Sequence, residues 1–320
     1  MNQYRADLLH GQAPHKAGTS ARQRERIVAR MAISAMTLMS LARCAPVDVL
    51  NATVPTAGLV VTRDIPYGGL PREKLDIYRP ADAAGLPVVV FIYGGSWRSG
   101  SKAMYPFVAA TMARAGAVVV VPDYRLYPQV TYPAFLTDCA LAVAWANANR
   151  STVGSSGPLF LMGHSAGAYN AVMLGLDTAW LADTGREPPP LAGVIGLAGP
   201  YDFLPITDPE VKPVFPDPSP ATQPITYAAA GRPPLLLLTG SDDTQVKPRN
   251  SAALASKLER LGGSVQTVVY PGLGHIGLVT AIAPIFQWRA PVLRDVMDFI
   301  RAHTPSQPGH AVPKPAHTTT

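Results

Sequence analysis

From Gly58 onward the sequence alternates short runs rich in apolar and β-branched residues with longer stretches of helical spacing, a pattern that selects an α/β domain with a mainly parallel sheet. The clearest runs are Val88 to Tyr93, Ala117 to Pro122, Leu159 to Met162, Val194 to Leu197, Leu235 to Leu238 and Val265 to Tyr270. None shows apolar–polar alternation, so all six are expected to be strands covered by helices on both faces of the sheet. Two weaker runs, Leu59 to Ile65 and Lys74 to Tyr78, are expected as an antiparallel edge. Helices are expected over Pro133 to Asn149 and over Asn250 to Leu261, the latter ending at the Gly262-Gly263 cap signal. With 48% apolar residues in 320, the chain has material for a sizeable core, while 33 prolines and 27 glycines argue against a coiled coil or a helical solenoid.

The proline-dense stretch from Pro200 to Pro234 lies between two expected strands. A connection of that length in a compact domain reads as a lid or binding loop, with a rigid surface loop as the alternative. Residues 1–50 read as an export signal and linker, residues 51–303 as the α/β domain, and residues 304–320 as a disordered Pro- and Thr-rich tail. In the leader, an Arg-rich segment through Arg30 precedes the apolar run from Met31 to Ala42, which is shorter than the ~20 residues a membrane span needs. Leu41-Ala42-Arg43-Cys44 resembles a bacterial lipoprotein box in which Cys44 would carry the lipid and anchor the protein to a membrane, although Arg43 departs from its small-residue rule. The expected location is therefore exported, periplasmic or membrane-associated. A start at Met31 and an amphipathic helix on a cytoplasmic protein are the alternatives.

The net charge of +6 owes much to Arg22, Arg24, Arg26 and Arg30, so it points to the leader and not to a nucleic-acid groove. Two cysteines give no disulfide framework, and no His/Cys spacing suggests a metal. Gly272-x-Gly274-x-x-Gly277 has the letters of a dinucleotide fingerprint but no following strand and acid, and no Walker sequence occurs, so no cofactor is expected.

The chemistry starts at Gly163-His164-Ser165-Ala166-Gly167, a GxSxG pattern between an apolar run and an Ala-rich helical stretch. A sharp strand-to-helix turn there would lift the Ser165 hydroxyl above the sheet edge. A serine hydroxyl needs a base to take its proton and an acid to orient that base. His275, in the glycine-rich loop after the last expected strand, is the best-placed base. Asp242 and Asp243, just beyond the Leu235 to Leu238 run, are the candidate acids. The small residues of Tyr93-Gly94-Gly95-Ser96-Trp97 would let backbone N–H groups approach a substrate.

Together these pieces resemble the α/β-hydrolase superfamily, specifically the carboxylesterase group related to hormone-sensitive lipases and to bacterial feruloyl-esterase-like and kynurenine formamidase-like enzymes. The resemblance covers about Gly58 to His303. It rests on residues 93–97 for HGGxW, Asp123-Tyr124-Arg125-Leu126 for DYRL, residues 163–167 for the nucleophile turn, Gly240-x-x-Asp243-x-x-Val246 for the acid and Gly274-His275 for the base. It implies an α/β-hydrolase fold, Ser165, Asp243 and His275 as catalytic triad, and Gly95, Ser96 and Ala166 as donors to the oxyanion. It also implies a small-molecule ester as substrate, cleaved without a cofactor through an acyl-enzyme. An aryl-formamidase and a non-catalytic binding protein on the same scaffold are the other readings. Tyr93 stands where the group carries a histidine that supports the loop, which bears on loop geometry and substrate choice more than on hydrolysis.

Overall fold

A computed structural model describes residues 46–305. The leader with Met31 and Cys44 and the tail beyond Pro305 lie outside the described residues. The strands are β1 (Leu59–Pro66), β2 (Lys74–Pro80), β3 (Val88–Ile92), β4 (Val118–Pro122), β5 (Leu159–His164), β6 (Leu191–Leu197), β7 (Leu235–Gly240) and β8 (Val265–Tyr270). They form one sheet in the order β1-β2-β4-β3-β5-β6-β7-β8. Pairing is antiparallel at β1/β2 and β2/β4 and parallel from there on, so β2 alone runs against the others. The helices are α1 (Pro46–Ala52), α2 (Pro106–Arg114), α3 (Ala134–Ala148), α4 (Arg150–Val153), α5 (Ala166–Leu176), α6 (Ala179–Ala182), α7 (Arg249–Arg260), α8 (His275–Thr280) and α9 (Val292–Ala302).

Every residue of β3, β4, β5 and β7 is buried, as expected for strands covered on both faces. Glycines set how closely the covering helices approach. On β6, a Cβ at Gly193 would lie 2.7 Å from the Phe299 ring of α9, whereas Val194 points the other way, 2.6 Å from where a Cβ on Gly175 of α5 would be. Alternate residues of one strand thus place α5 and α9 on opposite faces.

One strand departs from expectation. β8 forms where the sequence places it, but Gln266, Thr267 and Val269 are exposed because it is the sheet's outer edge and lacks a neighbour on one side. The connection from Pro200 to Pro234 is packed structure containing the 3-10 turns Lys212–Val214, Pro220–Thr222 and Pro224–Tyr227. Tyr201, Val214 and Phe215 bury completely, and Phe215 meets Trp97 edge-on at 5.0 Å.

Helix α7 ends as the Gly-Gly signal requires. Gly262 adopts φ 77°, its N–H bonds the Glu259 carbonyl, and the Gly263 N–H reaches back to Leu258 at 2.8 Å, closing a Schellman motif. No atom lies within 4 Å of a Cβ at Gly262, so only the left-handed backbone opposes a side chain there. Gly262→Ala is expected to lower unfolding free energy by about 1 kcal/mol, read by urea denaturation.

Candidate active site

The site grows from the end of β5. Ser165 has φ 56° and ψ −124°, a conformation that L-residues occupy only when their surroundings enforce it. Here the Ser165 N–H donates to the Leu197 carbonyl at 2.8 Å, and its carbonyl accepts from Ala168 and Tyr169 at 2.9 and 3.1 Å. The flanking glycines are obligatory. A Cβ at Gly163 would sit 2.1 Å from the Gly167 carbonyl oxygen, and one at Gly167 would sit 2.0 Å from that of Ile92 on β3. The turn leaves Ser165 half-buried at the N-terminus of α5, where the helix dipole favours developing negative charge.

Asp243 follows β7 and His275 opens α8. The His275 Nδ1 lies 2.8 Å from Asp243 Oδ2, and both side chains are buried. The other carboxylate oxygen of Asp243 accepts the N–H groups of Gln245 and Val246 at 3.0 and 2.8 Å, which explains the spacing from the acid to Val246. Asp242 is exposed and takes its bond from the Ser241 hydroxyl, so geometry selects Asp243 as the histidine's partner. A carboxylate held this way fixes the imidazole with Nδ1 protonated, leaving Nε2 free to accept a proton.

Ser96, Ser165, Ala166 and His275 line one cavity of about 420 Å³. Among the described residues, no acceptor receives the N–H of Ser96 or of Ala166, so both donors remain available to a ligand. Gly95 sits behind this wall. Its φ of 129° and missing Cβ admit the Ser99 carbonyl oxygen, which a Cβ would meet at 2.2 Å, and its own carbonyl accepts from Arg98 and Ser99.

A layer of polar contacts fixes that loop. The Tyr93 hydroxyl donates to Asp123 Oδ1 and accepts from Arg72, both at 2.8 Å. Asp123 Oδ1 also accepts the Lys102 N–H, and Arg72 bonds the carbonyls of Gly100 and Tyr124. The Tyr124 hydroxyl returns to the Tyr93 carbonyl at 2.8 Å. Burial, reinforced by Asp123, raises the Tyr93 hydroxyl's pKa, so the phenol stays protonated and donates. Tyr93 thus acts as a loop support, the part the family histidine plays. From the other side Trp97, also at positive φ, donates its indole N–H to Asn170 of α5 at 3.0 Å and packs against Phe135 and Tyr169. In the DYRL stretch, Asp123 and Tyr124 hold the loop, and Arg125 grips the fully buried Asp138 with two nitrogens.

His164, inside the turn, has a place that its position in the motif does not disclose. Its Nε2 lies 3.2 Å from the His275 carbonyl oxygen and its ring stands 4.8 Å from the His275 ring, so it braces the base directly. Burial, with His275 adding to it, pulls its pKa down to about 3. The ring therefore stays neutral and donates through Nε2. Arg72, Asn170 and this brace escaped the sequence reading because each works through a partner distant in the chain. Of the connection's aromatic residues, Phe203 lines the cavity, whereas Tyr201 and Phe215 fill the core beneath it.

Strand order, strained serine and buried Asp–His pair together define an α/β-hydrolase. The chain belongs to the BD-FAE family, whose profile matches residues 75–258; residues 213–304 also match that of the prolyl oligopeptidase family. It is similar to isoprenylcysteine alpha-carbonyl methylesterase ICME of Arabidopsis thaliana, 30% identical over 250 residues that cover 68% of this chain and 57% of that protein. It is also similar to kynurenine formamidase of Danio rerio, 34% identical over 144 residues, 45% of this chain and 47% of that one. The chain spans between 51% and 64% of the length of the five isoprenylcysteine methylesterase relatives. In fold it matches the crystal structure of esterase B from Lactobacillus rhamnosis, with TM-score 0.68 and 19% identity over 87% of this chain and 94% of that one.

Two stability predictions follow from the contacts behind the site. Tyr93→Phe takes one acceptor from Arg72 and a donor from the half-buried Asp123, so it should cost about 1–3 kcal/mol in urea unfolding. His164 takes a proton in the unfolded chain near its ordinary 6.5 but in the folded protein only near 3, so stability should fall as pH drops through that interval. Asp64, held low by the Lys102 ammonium, adds its own loss only below its ordinary 3.8. His164→Gln should flatten the decline between pH 6.5 and 3.8, measured by urea midpoints across that range.

Proposed function

We propose that this chain is a serine hydrolase that cleaves carboxylic esters of short or medium acyl length through an acyl-enzyme. The carrying observation is the buried Asp243–His275 pair at 2.8 Å beside the cavity that His275 shares with the strained Ser165. In this reading His275 Nε2 takes the Ser165 proton as Oγ attacks the ester carbonyl, and Asp243 stabilises the imidazolium that forms. The N–H groups of Ser96 and Ala166, in the loop geometry that Gly95 permits, receive the developing oxyanion, where each donor is worth ~10²–10³ in rate. His275 then hands its proton to the leaving alcohol, and water, activated by the same imidazole, releases the acid and restores Ser165. The methylesterase relative supports an ester substrate. The formamidase relative supports a second reading, an aryl-formamide cleaved by the same steps. The basic segment and apolar run of the leader support export, with Cys44 as the candidate lipid anchor.

Hydrolysis of 4-nitrophenyl acetate tests the assignment. Ser165→Ala is expected to lower kcat by ~10⁶ and Asp243→Asn by ~10⁴, while Asp242→Asn keeps the wild-type rate. Wild-type turnover in Ser165→Ala refutes the nucleophile, and loss confined to Asp242→Asn refutes the acid. An N-formyl anilide turned over faster than every ester tried would favour the formamidase reading.

A further inference from the structure

The cavity has two chemically different walls. The connection after β6 supplies an apolar one, with Phe203, Pro205, Ile206 and Val211. The segment after the acid supplies Thr244, Gln245, Val246, Lys247 and Arg249. Lys247 and Arg249 are exposed, and among the described residues neither side chain has a hydrogen-bond or ion-pair partner. Arg98, Lys102, Arg125 and Arg301 each lie against a carboxylate, whereas these two cations line the cavity with their charges uncompensated by a direct contact. The one acid lining the same cavity is Asp208, whose Oδ1 accepts the Glu210 N–H. The mouth therefore carries one more positive charge than negative. Helix stability offers no reason for it, since Arg249 opens α7, whose first turn holds no acid, at the end where the helix dipole disfavours a cation.

Lys247 and Arg249 line the cavity that holds Ser165 and His275, so a carboxylate on a bound ester can pair with their side chains. We propose that the site prefers esters that carry a carboxylate, paired with Lys247 and Arg249. This proposal rests on the ester-hydrolase reading and specifies its substrate class.

The test compares 4-acetoxybenzoate with the neutral 4-acetoxybenzamide by phenol release, in the full-length protein, its Lys247→Ala/Arg249→Ala double variant and Asp208→Asn. Two exposed ion pairs together give about tenfold discrimination at low salt. The ratio of kcat/KM for the anionic over the neutral ester should drop about tenfold in the double variant, rise in Asp208→Asn, and shrink in wild type as salt is added. A ratio unchanged in the double variant, with both esters still cleaved by it, overturns the proposal and leaves the esterase reading standing. Failure of wild type to cleave either ester or 4-nitrophenyl acetate overturns both.

Discussion

Everything at the reaction centre depends on how closely three pieces of backbone approach at the ends of β3 and β5. A Cβ at Gly94 would meet both the His164 carbonyl oxygen and the Ser165 Cβ at 2.8 Å, and the contacts of Gly163 and Gly167 are closer still. A side chain at Gly94 or Gly167 would push the end of β3 and its loop away from the serine turn, and one at Gly163 would collide with the first turn of α5. That single contact joins the hydroxyl to its nearby N–H donors, because Ser96 stands two residues beyond Gly94 and Ala166 follows Ser165 directly. The strain at Ser165, of order 1–3 kcal/mol for such a conformation, is held by the hydrogen bond to Leu197 and by the first turn of α5.

Behind the contact, rigidity comes from buried and half-buried polar groups that satisfy one another. Tyr93, Arg72, Asp123 and Lys102 form one connected set on the β2–β4 side, while Trp97 and Asn170 pin the loop to α5 from the other. A tyrosine serves where the family has histidine because its hydroxyl both accepts and donates here, and its ring stacks between Tyr105 and Tyr124 at 5.7 and 4.7 Å. The Asp243 carboxylate is treated alike: two N–H groups and one imidazole share it, so the buried charge has partners on both oxygens. His164 braces the His275 ring as a neutral group, so it places no second positive charge beside that imidazole.

What the sequence discloses follows from the range of the forces involved. The sheet's central strands, the turn at Ser165 and the cap at Gly262 are written in local patterns, since burial on both faces and left-handed backbone leave marks on neighbouring letters. In the sequence, Asp243 is preferred over Asp242 by a family spacing alone; its cause, the Val246 N–H on the carboxylate, is a contact that only the folded loop makes. The edge exposure of β8 could not be read, because an edge strand and a central one differ in neighbours and not in their own composition. Arg72, Asn170 and the brace from His164 were illegible for the same reason: Arg72 acts 21 residues away on Tyr93, and Asn170 acts 73 residues away on Trp97. The cavity's two walls likewise became visible only once the connection after β6 was seen folded against the loop after β7.

The proposed chemistry rests on one side chain being made reactive by its surroundings. The most direct measurement is to treat the folded protein with a fluorophosphonate, digest it, and locate the phosphonyl group by mass spectrometry. Stoichiometric modification of Ser165 alone, abolished when the protein is unfolded beforehand, is the expected result. A folded protein that stays unmodified, or one modified at another serine with Ser165 untouched, would contradict it.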